Sequence, residues 1–248
     1  MIRMQQSSDV EYVVGSLETE ASLPRVRALR PFSEEAVSFL ADLSRRCRRD
    51  AAARAYPDVV TFGFWCRRAA LSERQAAYED LDWRLGRGVV FHVAPSNVAV
   101  NFAYSCVAAL LAGNASIVRL PSKPFPQVDI LCRLWRDALA ERPEMRAYFL
   151  FVRYGHVDEV NTRYSLLADT RVVWGGDETI RRFRRYSLQP RANEILFADR
   201  FSLAVIDADG YLASEEKDAI AQGFYNDTYL SDQQACTSPH LGVWLGRE

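Results

Sequence analysis

Apolar positions along this chain change their rhythm at Gly86. Before it, residues 1–31 show weak periodicity and read as an edge or an arm. Ser33, followed by Glu34 and Glu35, opens a helix in which Val37, Leu40, Leu43 and Cys47 recur at helical spacing. The pairs Arg45-Arg46 and Arg48-Arg49 suit the end of that helix, where cations are favoured, although four arginines so close also read as a phosphate patch. Pro57 breaks the chain. Residues 58–85 carry Phe62, Phe64, Trp65 and Trp83 and predict helix packed against a neighbour.

From Gly86 onward short apolar runs alternate with helical stretches. The pattern predicts strands over 89–93, 115–120, 148–153, 171–174 and 202–206, and helices over 98–111, 127–141, 157–168 and 177–186. Gly113-Asn114 reads as a helix stop. Such alternation means parallel βαβ units and a doubly wound sheet. Ligands of these sheets bind outside the carboxyl ends of the strands. Three of those ends carry distinctive turns: Ala94-Pro95-Ser96-Asn97, Arg119-Leu120-Pro121-Ser122 and Trp174-Gly175-Gly176-Asp177. The organisation expected is an arm with a helical lead-in over 1–85, a dinucleotide-binding domain over 86–231 and the start of a catalytic domain over 232–248.

Composition narrows the function classes. The 248 residues are 49% hydrophobic and 25% charged, as in an ordinary globular protein, with a formal net charge of -1. That balance gives no electrostatic case for nucleic acid or an anionic membrane. No apolar run approaches the roughly 20 residues needed to span a bilayer, and the N-terminus has no signal-peptide core. Five widely spaced cysteines, without a CxxC pair or a Cys/His cluster, point to free thiols in a reducing, cytoplasmic compartment and to no metal site.

The common motifs are missing. Gly86-Arg87-Gly88 precedes the first regular strand instead of following it, so it is not a dinucleotide fingerprint. There is no Walker A loop and no GxSxG elbow. What remains is a corner, Asp232-Gln233-Gln234-Ala235-Cys236-Thr237-Ser238-Pro239, between a predicted helix over 215–230 and a predicted strand over 241–245. A cysteine near a helix end among small and amide-bearing residues suits a nucleophile. A small buried hydrophobe is the other reading of Cys236.

Four segments in order resemble one family. The run from Gly88 to Asn97 resembles the strand and Pro-x-Asn turn of the aldehyde dehydrogenase superfamily. Gly113-Asn114 through Arg119-Leu120-Pro121-Ser122 resembles its "GN…(K/R)PS" segment, Trp174-Gly175-Gly176-Asp177 its "TGS" loop, and Gln234-Ala235-Cys236 its nucleophile motif. The variants Pro-Ser-Asn, Trp-Gly-Gly-Asp and Gln-Gln-Ala-Cys-Thr-Ser-Pro are most similar to the acyl-CoA reductase branch, the LuxC type. The resemblance implies an α/β, aldehyde-dehydrogenase-like doubly wound parallel sheet, a Rossmann-like cofactor domain, with a helical N-terminal lead-in. It implies NADPH-dependent reduction of a long-chain acyl-CoA or acyl thioester to an aldehyde through a cysteine acyl-enzyme. Cys236 is then the nucleophile, with its backbone N–H and the Asn97 amide as oxyanion donors. Pro95, Ser96, Arg119, Ser122, Gly175, Gly176 and Thr179 fall at cofactor positions. Arg119 could pair with a 2′-phosphate, which favours NADPH over NADH.

Three alternatives stay open for individual residues. Asn97 also reads as a turn or cap residue, Arg119 as a solvated charge, and Gly175-Gly176 with Thr179 as an ordinary strand-to-helix turn. His92, inside an apolar strand, reads as a satisfied core residue, and His240 as a surface turn residue. The segment 196–201 lacks the Glu base that hydrolytic relatives use, which fits a reductase, unless Glu194 or Asp199 substitutes. The family resemblance also implies a further domain beyond the nucleophile. A truncated dinucleotide-binding remnant, or a subunit of a homo-oligomer or with a complementing chain, is therefore the second expectation. Aldehyde oxidation, CoA-acylating or hydrolytic, is the third.

Overall fold

The computed structural model describes residues 10–229 and 233–246, in two compact units that divide between Phe197 and Ala198. The first unit is organised on a sheet of β1 (Glu11–Val14), β2 (Val89–Val93), β3 (Ala115–Arg119), β4 (Phe149–Arg153), β5 (Thr170–Gly175) and β6 (Asn193–Ala198), in the order β1-β4-β3-β2-β5-β6. Strands β2 to β5 pair in parallel, and β1 runs antiparallel to β4 at one edge. The middle strands are buried on both faces, so they read as continuous apolar runs.

The helices of this unit are α1 (Leu17–Ser22), α2 (Glu34–Arg49), α3 (Pro57–Trp65), α4 (Arg68–Ala76), α5 (Asn101–Leu111), α6 (Pro126–Glu141), α7 (Asp158–Leu167) and α8 (Asp177–Phe183). Right-handed crossovers from β2 through β3 to β4 put α5 and α6 on one face, and the jump back to β5 puts α7 and α8 on the other. The lead-in helix α2 packs over α5 and α6 as a third layer. Its start is the one the sequence predicts, with Ser33 Oγ accepting from Ala36 N–H at 3.4 Å. Beneath it Phe39 stacks on Phe149 at 4.9 Å, and Trp135 meets Phe149 and Phe151 at 5.5 and 5.1 Å. At the end of α2, Arg46 is committed to Asp42 and Glu141, as a helix end requires and a phosphate patch does not.

The glycines before β2 and after α5 have structural reasons. Gly113 has φ 88 and ends α5 with the paired bonds of a Schellman motif, its N–H donating to Leu110 O and that of Asn114 to Ala109 O. The Asn114 side chain then accepts from the N–H groups of Arg87 and Gly88. The Gly-Asn pair therefore locks the approach to β2.

The structure departs from the sequence pattern in three places. Residues 58–85 form α3, α4 and a short 3-10 turn, and Phe64 and Trp83 are exposed instead of packed. Strand β6 was hidden because its burial alternates and its apolar run is short. Ser202–Asp207 (β7) does not join the large sheet. It pairs in parallel with β8 (Pro239–Leu245) in a two-stranded sheet of the second unit, which also holds α9 (Ala208–Ala213) and α10 (Lys217–Tyr229). Leu230 and Asp232, included in the predicted helix and corner, lie outside the described residues.

Candidate active and cofactor-binding site

The strand order reverses beside β2: β3 and β4 follow on one side, β5 on the other. The carboxyl ends of β2 and β5 therefore bound the crevice in which a doubly wound sheet holds its ligand. The turn after β2 buries Pro95 and leaves Ser96 and Asn97 exposed. The backbone N–H of Ala94 donates to Arg119 O, so this turn is tied to the end of β3. At the end of β5, a side chain at Gly175 would collide with Thr179, whose Cβ lies 2.9 Å from an added Cβ. Gly175 is thus required by the return of the chain into α8. Gly176 is different: an added Cβ would meet nothing within 4 Å, and the backbone there is open to a ligand. The helix that follows has seven residues and carries Asp177 and Glu178 in its first turn. Those carboxylates oppose the attraction its N-terminus has for an anion. Open backbone at Gly176, rather than the helix dipole, is what this corner offers a pyrophosphate.

Arg119 is held firmly. Its guanidinium lies 4.7 Å over the Tyr154 ring and donates to Gly155 O at 3.1 Å. Tyr154, just after β4, donates in turn to Asn161, and burial raises its phenol well above the ordinary range. Sequence reasoning missed this tyrosine. The signal available was an aromatic residue immediately after a buried strand. Ser122 is exposed and lines a hollow of about 470 Å³ with Leu120, Pro121, Arg153 and Tyr154. Open backbone at Gly176, exposed hydroxyl and amide groups at Ser96, Asn97 and Ser122, and a fixed cation at Arg119 form a donor set that fits a nicotinamide dinucleotide.

The second unit carries Cys236. All five cysteines of the chain are described. Cys47, Cys66, Cys106 and Cys132 are buried and Cys236 is exposed. Burial pushes the Cys47, Cys106 and Cys132 thiols up to about 12, and Cys66 well above its usual value. Burial thus disfavours the thiolate at these four. The Cys236 carbonyl accepts from Ser202 Oγ at 2.7 Å, fixing the corner between α10 and β8 against β7. His240 stacks on Phe201 at 5.5 Å and is exposed.

Residues 7–245 match the family described as acyl-CoA reductase (LuxC). The chain belongs to this family. It is 29% identical over 163 residues to a long-chain acyl-protein thioester reductase of Aliivibrio fischeri, a match covering 64% of this chain and 32% of that protein. The chain thus spans about a third of the curated relative's length. Among solved structures it is similar to a 3,6-anhydro-L-galactose dehydrogenase, with a TM-score of 0.66 at 15% identity over 96% of this chain and 58% of that one. It is also similar to a benzaldehyde dehydrogenase from Corynebacterium glutamicum, with a TM-score of 0.64 at 15% identity over 97% and 61%. The fold is that of the aldehyde dehydrogenases.

Two further residues resolve within this family frame. Glu194 is no free base: Arg171, itself 2% exposed, binds its Oε1 through Nε at 2.9 Å, and Arg184 approaches Oε2 at 3.8 Å. His92 is the core residue the sequence suggests. Its ring nitrogens lie 2.8 Å from Ser105 Oγ and 3.3 Å from Ser116 Oγ, and burial pushes its pKa down to about 3. Among the described residues no cluster of ligating side chains could hold a metal, and no helix is long and apolar enough to cross a membrane.

Proposed function

We propose that this protein takes part in reducing a long-chain acyl thioester, on CoA or on a protein, to an aldehyde, with Cys236 as nucleophile. The observation that carries the reading is the separation of the cysteines. In a chain of this family, one thiol of five is exposed, and it lies in the segment Gln234-Ala235-Cys236 that resembles the superfamily's nucleophile motif. The Cys236 thiolate attacks the acyl carbonyl, the bond to the departing thiolate breaks, and the acyl group is held as a thioester on Sγ. The oxyanion formed on attack needs donors, and the reading assigns these to the Cys236 N–H and the Asn97 side-chain amide. A bound reduced nicotinamide supplies hydride, the two electrons that take the acyl carbon to the aldehyde level. The second carbon–sulfur bond then breaks and Cys236 leaves again as thiolate. Glu194, taken up by Arg171 and Arg184, is not available to activate water, which favours reduction over hydrolysis of the acyl-enzyme.

The cofactor is proposed to be NADPH. Pro95 and Ser96, with Ser122, line the dinucleotide, Gly175 and Gly176 with Thr179 shape the pyrophosphate turn, and Arg119 faces the 2′-phosphate. The stack on Tyr154 supports the Arg119 role, because a guanidinium already ordered loses less freedom on binding. Arg119→Ala is expected to weaken NADPH by about tenfold more than NADH, a loss of about 1.4 kcal/mol; an unchanged ratio removes the phosphate role.

Intact-mass spectrometry after incubation with a long-chain acyl-CoA tests the whole reading. One acyl increment on the wild type and none on Cys236→Ser is the expected result. An increment on the Ser variant, or none on the wild type, overturns the nucleophile assignment.

A further inference from the structure

The face of the large sheet that carries α5 is bare beside β5 and β6. Val90, Ala109 and Val172 form a buried apolar floor there, with Trp174 packed against it. Above the floor lies a cleft of about 720 Å³, within the range of small-molecule sites. One wall is α5, through Tyr104, Ser105 and the exposed Ala108. The opposite wall is Ile195 and Phe197 of β6, where Phe197 stacks on Trp174 at 3.8 Å and 9°. The lead-in adds Phe32, Tyr78, Leu81 and Leu85 to the lining. Strands of five and six residues give the floor a length of about 17–20 Å.

The charges around this cleft have one sign. Arg74, Arg84 and Arg87 line it, and no aspartate or glutamate does. Among the described residues none of the three arginines pairs with a carboxylate. Arg74 donates to Ala70 O and Arg87 to Arg191 O, and Arg74 also lies 4.2 Å over the Trp65 ring. Bonds to neutral carbonyls leave the guanidinium charge uncompensated. Among the polar groups of the lining, Trp174 Nε1–H donates to Ser105 Oγ beside His92, and the Asn114 side chain is taken up by the N–H groups of Arg87 and Gly88. A largely apolar slot whose lining carries arginines and no carboxylate is complementary to a long apolar body with an anionic end.

We infer that this cleft is a binding site for a long-chain carboxylate, with the chain along β2 and β5 and the head drawn to the arginines of its lining, the exposed Arg84 foremost. Its lining follows the face of the sheet and includes none of Pro95, Ser96, Asn97, Arg119, Ser122, Gly175 or Gly176, and no thiol. The inference therefore stands apart from the nucleophile assignment.

The test is calorimetric titration of the full-length Cys236→Ser chain, which cannot be acylated at that position, with dodecanoate below its micelle concentration. Dodecylammonium and dodecanol serve as charge controls. Saturable binding of dodecanoate, with the cation and the alcohol weaker by about tenfold or more, is expected. Ala108→Trp, at an exposed helix position, fills the slot and should remove binding. Arg84→Glu, also exposed, should weaken dodecanoate by about tenfold and strengthen dodecylammonium. No saturable binding, equal affinity for the cation, or affinity unchanged by both substitutions overturns the inference. Self-association of the ligand-free chain that is abolished by Ala108→Trp, with no dodecanoate binding, would assign the cleft to a contact between copies instead.

Discussion

The two units bury their apolar residues to very different extents. In the first, aromatic side chains from α2, α6 and β4 interlock beneath a third helical layer, and the largest of them, Trp135, is fully buried. In the second, the described residues include no buried hydrophobic side chain: Leu203, Val205, Leu212, Leu241, Trp244 and Leu245 are all at least half exposed. Strands β7 and β8 are held by their ladder and by contacts such as Tyr211 on Trp244 at 5.3 Å. An isolated two-stranded ribbon is marginal in water. The strand-end turns of the first unit are therefore built on a well-buried scaffold, and the Cys236 corner on a lightly buried one. Buried and exposed thiols are separated along the chain: four cysteines belong to the core of the first unit, and the exposed one to the second.

That contrast can be broken by substitution. Trp135→Ala should cost about 3–5 kcal/mol in denaturant unfolding, since it opens a cavity among Phe39, Phe62, Phe149 and Phe151. A loss below about 1 kcal/mol would show that this core is not the source of stability. Next in size is Glu194→Leu, which strands a buried guanidinium at Arg171 and should cost about 3 kcal/mol. A stable Glu194→Leu protein that gains acyl-enzyme hydrolysis would point to another base.

A pH effect follows from His92. Burial pushes its pKa in the folded chain down to about 3 from an ordinary value of about 6.5. Below the unfolded value the unfolded chain binds the extra proton, so this residue's contribution to stability falls as pH drops from about 6.5 towards 3. The slope approaches about 1.4 kcal/mol per pH unit. His92→Gln should flatten that part of the stability–pH curve, and an unchanged curve would mean that His92 is protonated in the native state. The smallest energetic effect is expected in the second unit, where Trp244→Ala should change global unfolding by about 0.5 kcal/mol or less. Thiol labelling then sharpens the contrast without perturbing the fold. One cysteine should react rapidly in native buffer and none in Cys236→Ser; rapid labelling of a second would show that a buried thiol is transiently exposed.

Much of the first unit could be read from residues alone. Continuous apolar runs at β2 to β4 are long enough to be unambiguous, and Gly113-Asn114 marks a helix end because only a positive φ closes α5 there. Strand β6 could not be read in the same way. Two of its apolar residues, Ile195 and Phe197, are exposed and Leu196 is half-buried, and nothing in a half-exposed run of six distinguishes pairing from a loop. The partner of β7 was equally illegible, because an apolar run fixes that a segment is a strand and not which edge it joins. Of the candidate site, the turns that bear Ser96, Asn97, Ser122 and Gly176 follow from strand-end chemistry. Tyr154 beneath Arg119 and the two arginines that hold Glu194 are contacts across the fold.

The sequence by itself determined the alternation of strand and helix, the family and the position of Cys236, because these rest on local periodicity and ordered short motifs. Only the tertiary structure decided which cysteine meets solvent, that Glu194 is tied to Arg171 and Arg184, and that a cleft on the face of the sheet beside β5 and β6 is lined by three arginines without a carboxylate partner among the described residues. Burial, pairing and the sign of a local field depend on residues far apart in the chain, and no local pattern records them.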